Sequence, residues 1–279
     1  MRHLIFYLLI IFTSLSCSTV KLGYNNADWL LPWIIDNYFE LDGQQEEFVE
    51  EKIIHHLNWH RYTELPRYND FIDEATPKII DGLSSEEYDW VFNEIKFSYN
   101  QLIERILPDA TELLLSLTPQ QIDELENRIM EKNKERSSRP PQTEEERLVK
   151  RQDRIIDRME DWFGYLTKEQ IAAIKEMAAD FPDNSAMYGA DRVRRQKVFL
   201  TLLRGKPAKD EFISALRTYF TDYNQGRTPE YIEMSENYWR ASKKMTLAID
   251  KLLSSDQKMK AVERLRAYQI DFQDLASVK

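Results

Sequence analysis

Apolar side chains return every third or fourth residue along most of this chain, the spacing that lines one face of an α-helix. Ile122, Leu125 and Ile129 follow it, as do Ile171, Ile174, Met177 and Ala178. Ile155, Ile156, Met159, Trp162 and Phe163 form another stripe, and Trp239, Met245, Ile249 and Leu252 a fourth. No stretch alternates apolar and polar residues as a half-buried strand does. The pattern predicts an all-α protein of about eight to eleven helices, packed as hairpins in a bundle with no sheet.

The helix starts carry a repeated signal: a leucine, a capping residue, and Gln or Glu three positions after the cap. It occurs at Leu41-Asp42 to Gln45, Leu83-Ser84 to Glu87, Leu117-Thr118 to Gln121, Leu166-Thr167 to Gln170 and Leu253-Ser254 to Gln257. Each reads as a capping box, in which the cap's side chain accepts from a first-turn N–H and the Gln or Glu reaches back to the cap's own N–H. Pro119, at the first helical position, suits a site whose N–H has no partner in any case. Only 7 glycines occur, and most fall at breaks in the apolar pattern. The longest break, Lys132 to Glu146, holds Arg139-Pro140-Pro141 and predicts a polar linker over 138–147. It separates an N-terminal helical region, 27–137, from a C-terminal one, 148–279, which could pack together as one domain. Shorter loops are expected at Phe181-Pro182-Asp183-Asn184 and Gly205-Lys206-Pro207.

The chain opens differently. Arg2 and His3 precede an apolar run from Leu4 to Phe12, then Thr13-Ser14-Leu15-Ser16-Cys17. A charged start, a short apolar run and small residues make an export signal, removed after residue 16, and the run is too short to span a bilayer. The single cysteine of the chain sits at the cut. This arrangement resembles the lipobox of bacterial lipoproteins, although Ser14 stands where leucine is usual. The resemblance implies acylation of Cys17, a short lipidated tether over 17–26, and a body facing the periplasm. Ser18 after the cysteine implies sorting to the outer membrane.

Charge and cysteine content narrow the functions. A net charge of −10 argues against nucleic acid as a partner. The basic run Arg192-Val193-Arg194-Arg195-Gln196-Lys197 reads as a solvated helix face. One cysteine leaves no internal disulfide and no thiolate metal site, so helix packing must supply the stability. No G-x-S-x-G elbow or glycine-rich phosphate loop occurs.

Chemistry is densest between Lys21 and Asp70. Lys21-Leu22-Gly23-Tyr24-Asn25-Asn26 leads through Trp29, Trp33 and Tyr38 to Asn58-Trp59-His60-Arg61-Tyr62-Thr63-Glu64-Leu65-Pro66-Arg67-Tyr68. With the lipobox, this order resembles a family of bacterial lipoproteins, the domain of unknown function 6279 family, most strongly over 17–70. The resemblance implies a location, and it brings no catalytic residue. More weakly, Leu117 to Gln121 and Leu166 to Gln170 resemble the LTxxQ motif of small periplasmic helical chaperones.

His55, His56 and His60 are clustered, and on a regular helix His56, His60 and Glu64 share one stripe with Arg67 near its end. His56, His60 and Glu64 are the candidate metal ligands, and His60, Glu64 and Arg67 the candidate acid-base groups. The alternative is a polar packing network under Trp29, Trp33 and Trp59, in which Arg61 or Arg67 pairs with Glu64 or with a carboxylate of another helix. Packing is the favoured expectation, with no cofactor. The apolar segment 29–39 has two readings: its tryptophans and tyrosine suit a helix lying on the bilayer beside the anchor, but core is the favoured expectation, because its charges are Asp28, Asp36 and Glu40 rather than the lysines and arginines of an interfacial helix. The sequence therefore points to an outer-membrane lipoprotein that binds an envelope protein, in a scaffold or chaperone-like role. A metal-dependent or acid-base enzyme centred on His56, His60 and Glu64 is the alternative.

Overall fold

The computed structural model describes residues 16–277 except Arg139, Pro141 and Asp183. Apart from Ser16, the expected export signal lies outside the described residues. Among those described, the protein is all-α, as the periodicity predicts, with eleven helices. These are α1 (Ser16–Asn25), α2 (Ala27–Phe39), α3 (Gly43–Trp59 and Leu65–Asp81, joined by a π turn at His60–Glu64), α4 (Ser85–Ser116) and α5 (Pro119–Ser137). After the linker come α6 (Glu144–Phe163), α7 (Lys168–Ala179), α8 (Ser185–Gly205), α9 (Lys209–Thr221), α10 (Pro229–Leu252) and α11 (Ser255–Ser277).

All five expected capping boxes form. At the second, Ser84 Oγ accepts from the Glu87 N–H at 3.1 Å while Glu87 receives the Ser84 N–H at 2.9 Å. A sixth box falls inside the stretch read as linker: Thr143 Oγ1 accepts from the Glu146 N–H at 3.1 Å, and Glu146 receives the Thr143 N–H at 2.9 Å. α6 therefore begins at Glu144, four residues before the C-terminal region was expected to start at 148. The acidic triplet Glu144-Glu145-Glu146 suits the positive end of that helix.

Four of the boxes do more than start helices. Gln45 and Gln121 are buried at the tips of two hairpins, α2/α3 and α4/α5, and their amides face each other. Gln121 Nε2 donates to Gln45 Oε1 at 2.6 Å, and Gln45 Nε2 donates to Gln121 Oε1 at 3.3 Å. The remaining amide hydrogens go to Glu40 O at 2.8 Å and Ser116 Oγ at 3.1 Å. The same device recurs where α6/α7 meets α10/α11. Gln170 and Gln257 exchange hydrogen bonds at 2.8 and 3.0 Å and donate to Leu252 O and Tyr165 O. With its own cap's N–H included, each glutamine uses two donor and two acceptor sites, which lets a buried amide rest without penalty. Glutamate could not do this, having no hydrogen to donate; the two boxes that end in Glu87 and Glu146 meet no second box, and Glu87 has Lys78 beside it at 4.0 Å instead.

The core does not divide at the linker. Leu107, Leu114 and Leu117 of the α4 end pack with Ile122 and Leu125 of α5, and also with Leu200, Leu203, Phe212 and Leu216 of α8 and α9. A second cluster joins Leu166 and Ile174 to Ile249, with Ile155, Ile156 and Met159 packed against it. The C-terminal helix α11 returns to lie along the second half of α3, the most extensive helix pairing in the molecule. The regions 27–137 and 148–279 are thus interlocked through shared apolar layers.

The expectation that segment 29–39 is core is overturned. α2 has no buried residue, and Trp29 and Trp33 are 59% and 58% exposed. The reason lies in what adjoins it: Trp33 lines an open recess whose other wall is Glu124, Arg128, Glu131, Lys132 and Glu135 of α5. Such a charged wall has no apolar groove to take an indole ring. No helix among the described residues is long and apolar enough to cross a membrane.

Candidate functional site

The histidine cluster sits at the π turn, and the turn decides its geometry. Pro66 has no N–H to give to the Tyr62 carbonyl and its ring would crowd that carbonyl in a regular helix. The chain widens by one residue instead, so that the Leu65 N–H bonds to His60 O. Leu65 and Glu64 both turn inward, at 2% and 4% exposure. The expected four-residue stripe is broken there, because the inserted residue rotates everything beyond it by about 100°.

The three candidate metal ligands consequently face different neighbours. His56 Nε2 lies 2.9 Å from Asp109 Oδ2 of α4, without the alignment of a hydrogen bond. Burial lowers its pKa below the ordinary 6.5, with Asp109 opposing the shift and Arg105 and His55 adding to it. His60 is clasped between two tyrosines, with Tyr24 Oη 3.1 Å from Nδ1 and Tyr68 Oη 3.4 Å from Nε2. Tyr24 donates its hydroxyl proton to Leu57 O at 3.2 Å, which fits a neutral ring that donates from Nδ1 to Tyr24 and accepts at Nε2 from Tyr68. Glu64 contacts Arg67 at 3.3 Å. Among the described residues no three His, Cys, Asp or Glu side chains are grouped to hold a metal ion.

Arg67 is held by more than Glu64. It donates to Ser98 Oγ at 2.6 Å and stacks 4.6 Å from the Phe97 ring centre. Arg61 lies 5.4 Å from the Tyr24 ring centre, and His55 meets Arg105. His60 and Arg67 thus hold α3 against α1 and α4, while Glu64 pairs with Arg67 inside α3. The packing network is the arrangement seen, but only part of its expected lid is present: Trp29 and Trp33 lie in the open, while Trp59, Tyr24 and Tyr68 lie against His60 and Phe272 backs Tyr68.

Tyr24, Tyr68, Asp109 and Asp271 are the members that the sequence did not single out. Lys21 of α1 pairs with Asp271 at 3.2 Å and with Asp274, both on α11. Together with Tyr24 on His60, these bonds dock α1, which takes in most of the stretch expected as a short tether over 17–26, on the body. Pro66 was the available signal for the π turn. Nothing in sequence spacing links Lys21 to Asp271.

The cluster has a pH signature. Burial lowers the His60 pKa below 6.5 in the folded protein, while the unfolded chain keeps the ordinary value. Below that value the unfolded state takes up protons that the folded state resists, so the stability tied to neutral His60 is complete above 6.5 and declines as pH falls. Urea midpoints should therefore drop from neutral pH into mild acid. His60→Gln should flatten that slope, and His56→Gln should flatten it less, because Asp109 opposes the shift there. An unaltered slope in His60→Gln would remove the imidazole as its source.

Residues 37–232 match the family of unknown function DUF6279, and the match spans well over half of the chain. The chain belongs to this family. In this DUF6279 protein the matched stretch takes in the π turn, the Gln45–Gln121 pair and the α8–α9 core, but it leaves out the whole of the 17–36 segment that contributed to the resemblance. No curated protein and no solved structure matches the chain.

Proposed function

We propose that this DUF6279 protein is a lipoprotein, acylated at Cys17 and held at the outer membrane with its helical body in the periplasm. There it binds an envelope protein and acts as a scaffold or chaperone-like partner rather than as an enzyme. The observation that carries the binding reading is an apolar stripe on α4. Phe92, Ile95, Tyr99 and Leu102 recur at helical spacing over about 15 Å. Trp239 packs edge-on to Phe92 with ring centres 5.4 Å apart, and Tyr223 lies beside Tyr99 at 6.1 Å. Phe92, Ile95, Leu102, Trp239 and Tyr223 are all exposed. A contiguous aromatic and aliphatic strip on an acidic, heavily charged body is the surface chemistry of a protein-binding face. The histidines are occupied in packing, which leaves this strip as the largest uncommitted chemical feature of α4.

Two experiments test the two halves of the proposal. Cys17→Ser should move the protein from the membrane fraction to the soluble periplasm, and retention in the outer membrane would remove acylation as the anchor. A photo-crosslinking residue at Ile95 in intact cells should capture a reproducible envelope protein, detected by mass spectrometry. Recovery of none, with a crosslinker at exposed Glu144 as the background control, would sink the binding role.

A further inference from the structure

We infer that Trp29 and Trp33 of α2 seat in the lipid interface beside the Cys17 anchor, so that the body is held against the bilayer in one orientation; this rests on the acylation reading above. The two indoles fall one helical turn apart on the same face, and both are more than half exposed. Leu31, Ile34 and Tyr38 of the same helix and Leu22 of α1 are exposed as well. Nowhere else among the described residues does so short a helix expose two tryptophans and bury nothing.

Chain length fixes what can cover this face. Trp29 follows Cys17 by twelve residues and Trp33 by sixteen, nearly all helical, so the indoles lie at most about 18 and 24 Å along the chain from the acylated residue. α1 is not slack. Lys21 ties it to Asp271 and Asp274, and Tyr24 ties it to His60, so the body cannot drift away from its anchor as it would on a flexible linker. The indole N–H of Trp29 is already satisfied by Asn26 Oδ1 at 3.0 Å, leaving the ring to enter the interface without an unpaired donor.

Charge selects the kind of surface. On α2 the exposed charge is Asp28; Asp36 turns back to accept the Leu41 N–H at 2.9 Å, and Glu40 is paired by Arg128. The neighbouring wall, on α5, carries Glu131 and Glu135 as well as Lys132, which lies 5.2 Å from the Tyr38 ring centre. This balance offers no cationic patch for anionic lipid, so the aromatic rings supply the attachment and a zwitterionic bilayer is the matching surface. Tryptophan and tyrosine favour that zone.

The test uses the full mature chain carrying Cys17→Ser, which has no acyl group, and sucrose-loaded phosphatidylcholine vesicles pelleted by centrifugation. The protein should co-sediment weakly, with partitioning that changes little between low and high salt. Trp29→Ser/Trp33→Ser should lower partitioning roughly tenfold or more, since much of two large apolar side chains returns to water, with the helical circular dichroism retained. Equal partitioning of the two proteins, or none by either, overturns the inference. So does a finding that the tryptophans drive sedimentation-detected self-association without vesicles, which would make the face a contact between copies. Cys17 acylation is read separately, by mass spectrometry of the wild-type N-terminal peptide, so failure of the anchor and failure of the docking face are distinguished.

Discussion

Gln121→Ala should lower the unfolding free energy by about 3 kcal/mol, an effect far beyond the loss of a surface cap. The side chain receives the Thr118 N–H at 2.9 Å, donates to Glu40 O at 2.8 Å, and exchanges two bonds with Gln45. Net contributions of about 1 kcal/mol per bond, with a further penalty of about 1 to 3 kcal/mol for a buried partner left unpaired, give that size. Gln121→Glu is the sharper variant. A carboxylate still accepts from Thr118 and from Gln45 Nε2, but it cannot donate to Glu40 O or to Gln45 Oε1, and its charge is buried. Glu87→Gln, in a box that meets no second box and loses only a long, weak pairing with Lys78, should stay within about 0.5 kcal/mol of wild type. A double-mutant cycle on Gln45 and Gln121 by urea denaturation should show coupling, and additive effects would mean that the two amides act only within their own helices.

Arg227→Ala should cost about 3 kcal/mol, the low end of the range for breaking a buried ion pair, because Arg194 still holds Asp191. Asp191 on α8 is buried, and Arg227 grips its Oδ2 through Nη2 at 2.9 Å and Nε at 3.1 Å. Arg194 holds Oδ1 through Nη2 at 2.7 Å. Arg227 also lies 4.5 Å from the Tyr231 ring centre, so the pair clamps the turn before α10 onto α8. Burial works to raise the Asp191 pKa, but the hydrogen bonds and charges of the two arginines overcome it and hold the carboxyl below its ordinary 3.8. The resulting stability is present above 3.8 and is lost as pH falls through the folded value. Thermal melts of Arg227→Ala at neutral pH check the size. Asp191→Asn/Arg227→Met, which removes both charges, should recover part of the loss, and a double variant as unstable as the single one would show that packing around Arg227 carries the effect.

The basic run from Arg192 to Lys197 illustrates what a linear reading leaves out. Spread around a helix it reads as solvated surface, yet Arg194 is committed to Asp191, and Arg195 donates to Tyr219 O at 2.9 Å and stacks on the Tyr219 ring. Tyr219 lies on α9, about which local spacing carries no information, and Asp191, although one turn from Arg194 on α8, is buried only because Arg227 from the turn before α10 closes over it. The histidine stripe failed for a more local reason. Pro66 was in view, but its effect is to insert a residue into the turn before it, which a constant 100° step does not represent.

The sequence by itself determined the helices, because amphipathic period and capping chemistry are local: the apolar stripes, the five recognised boxes, and a sixth at Thr143 and Glu146 whose residues were equally legible. The difference between Gln and Glu at the third position of each box was also written in the chain. Only the tertiary structure decided what that difference does, since an amide must meet a second amide from a distant hairpin before its donors matter. The same holds for the tryptophans of α2. Their apolar character is a property of the residues, but whether they are buried depends on what the adjoining helix offers, and the charged wall of α5 beside Trp33 offers no apolar pocket.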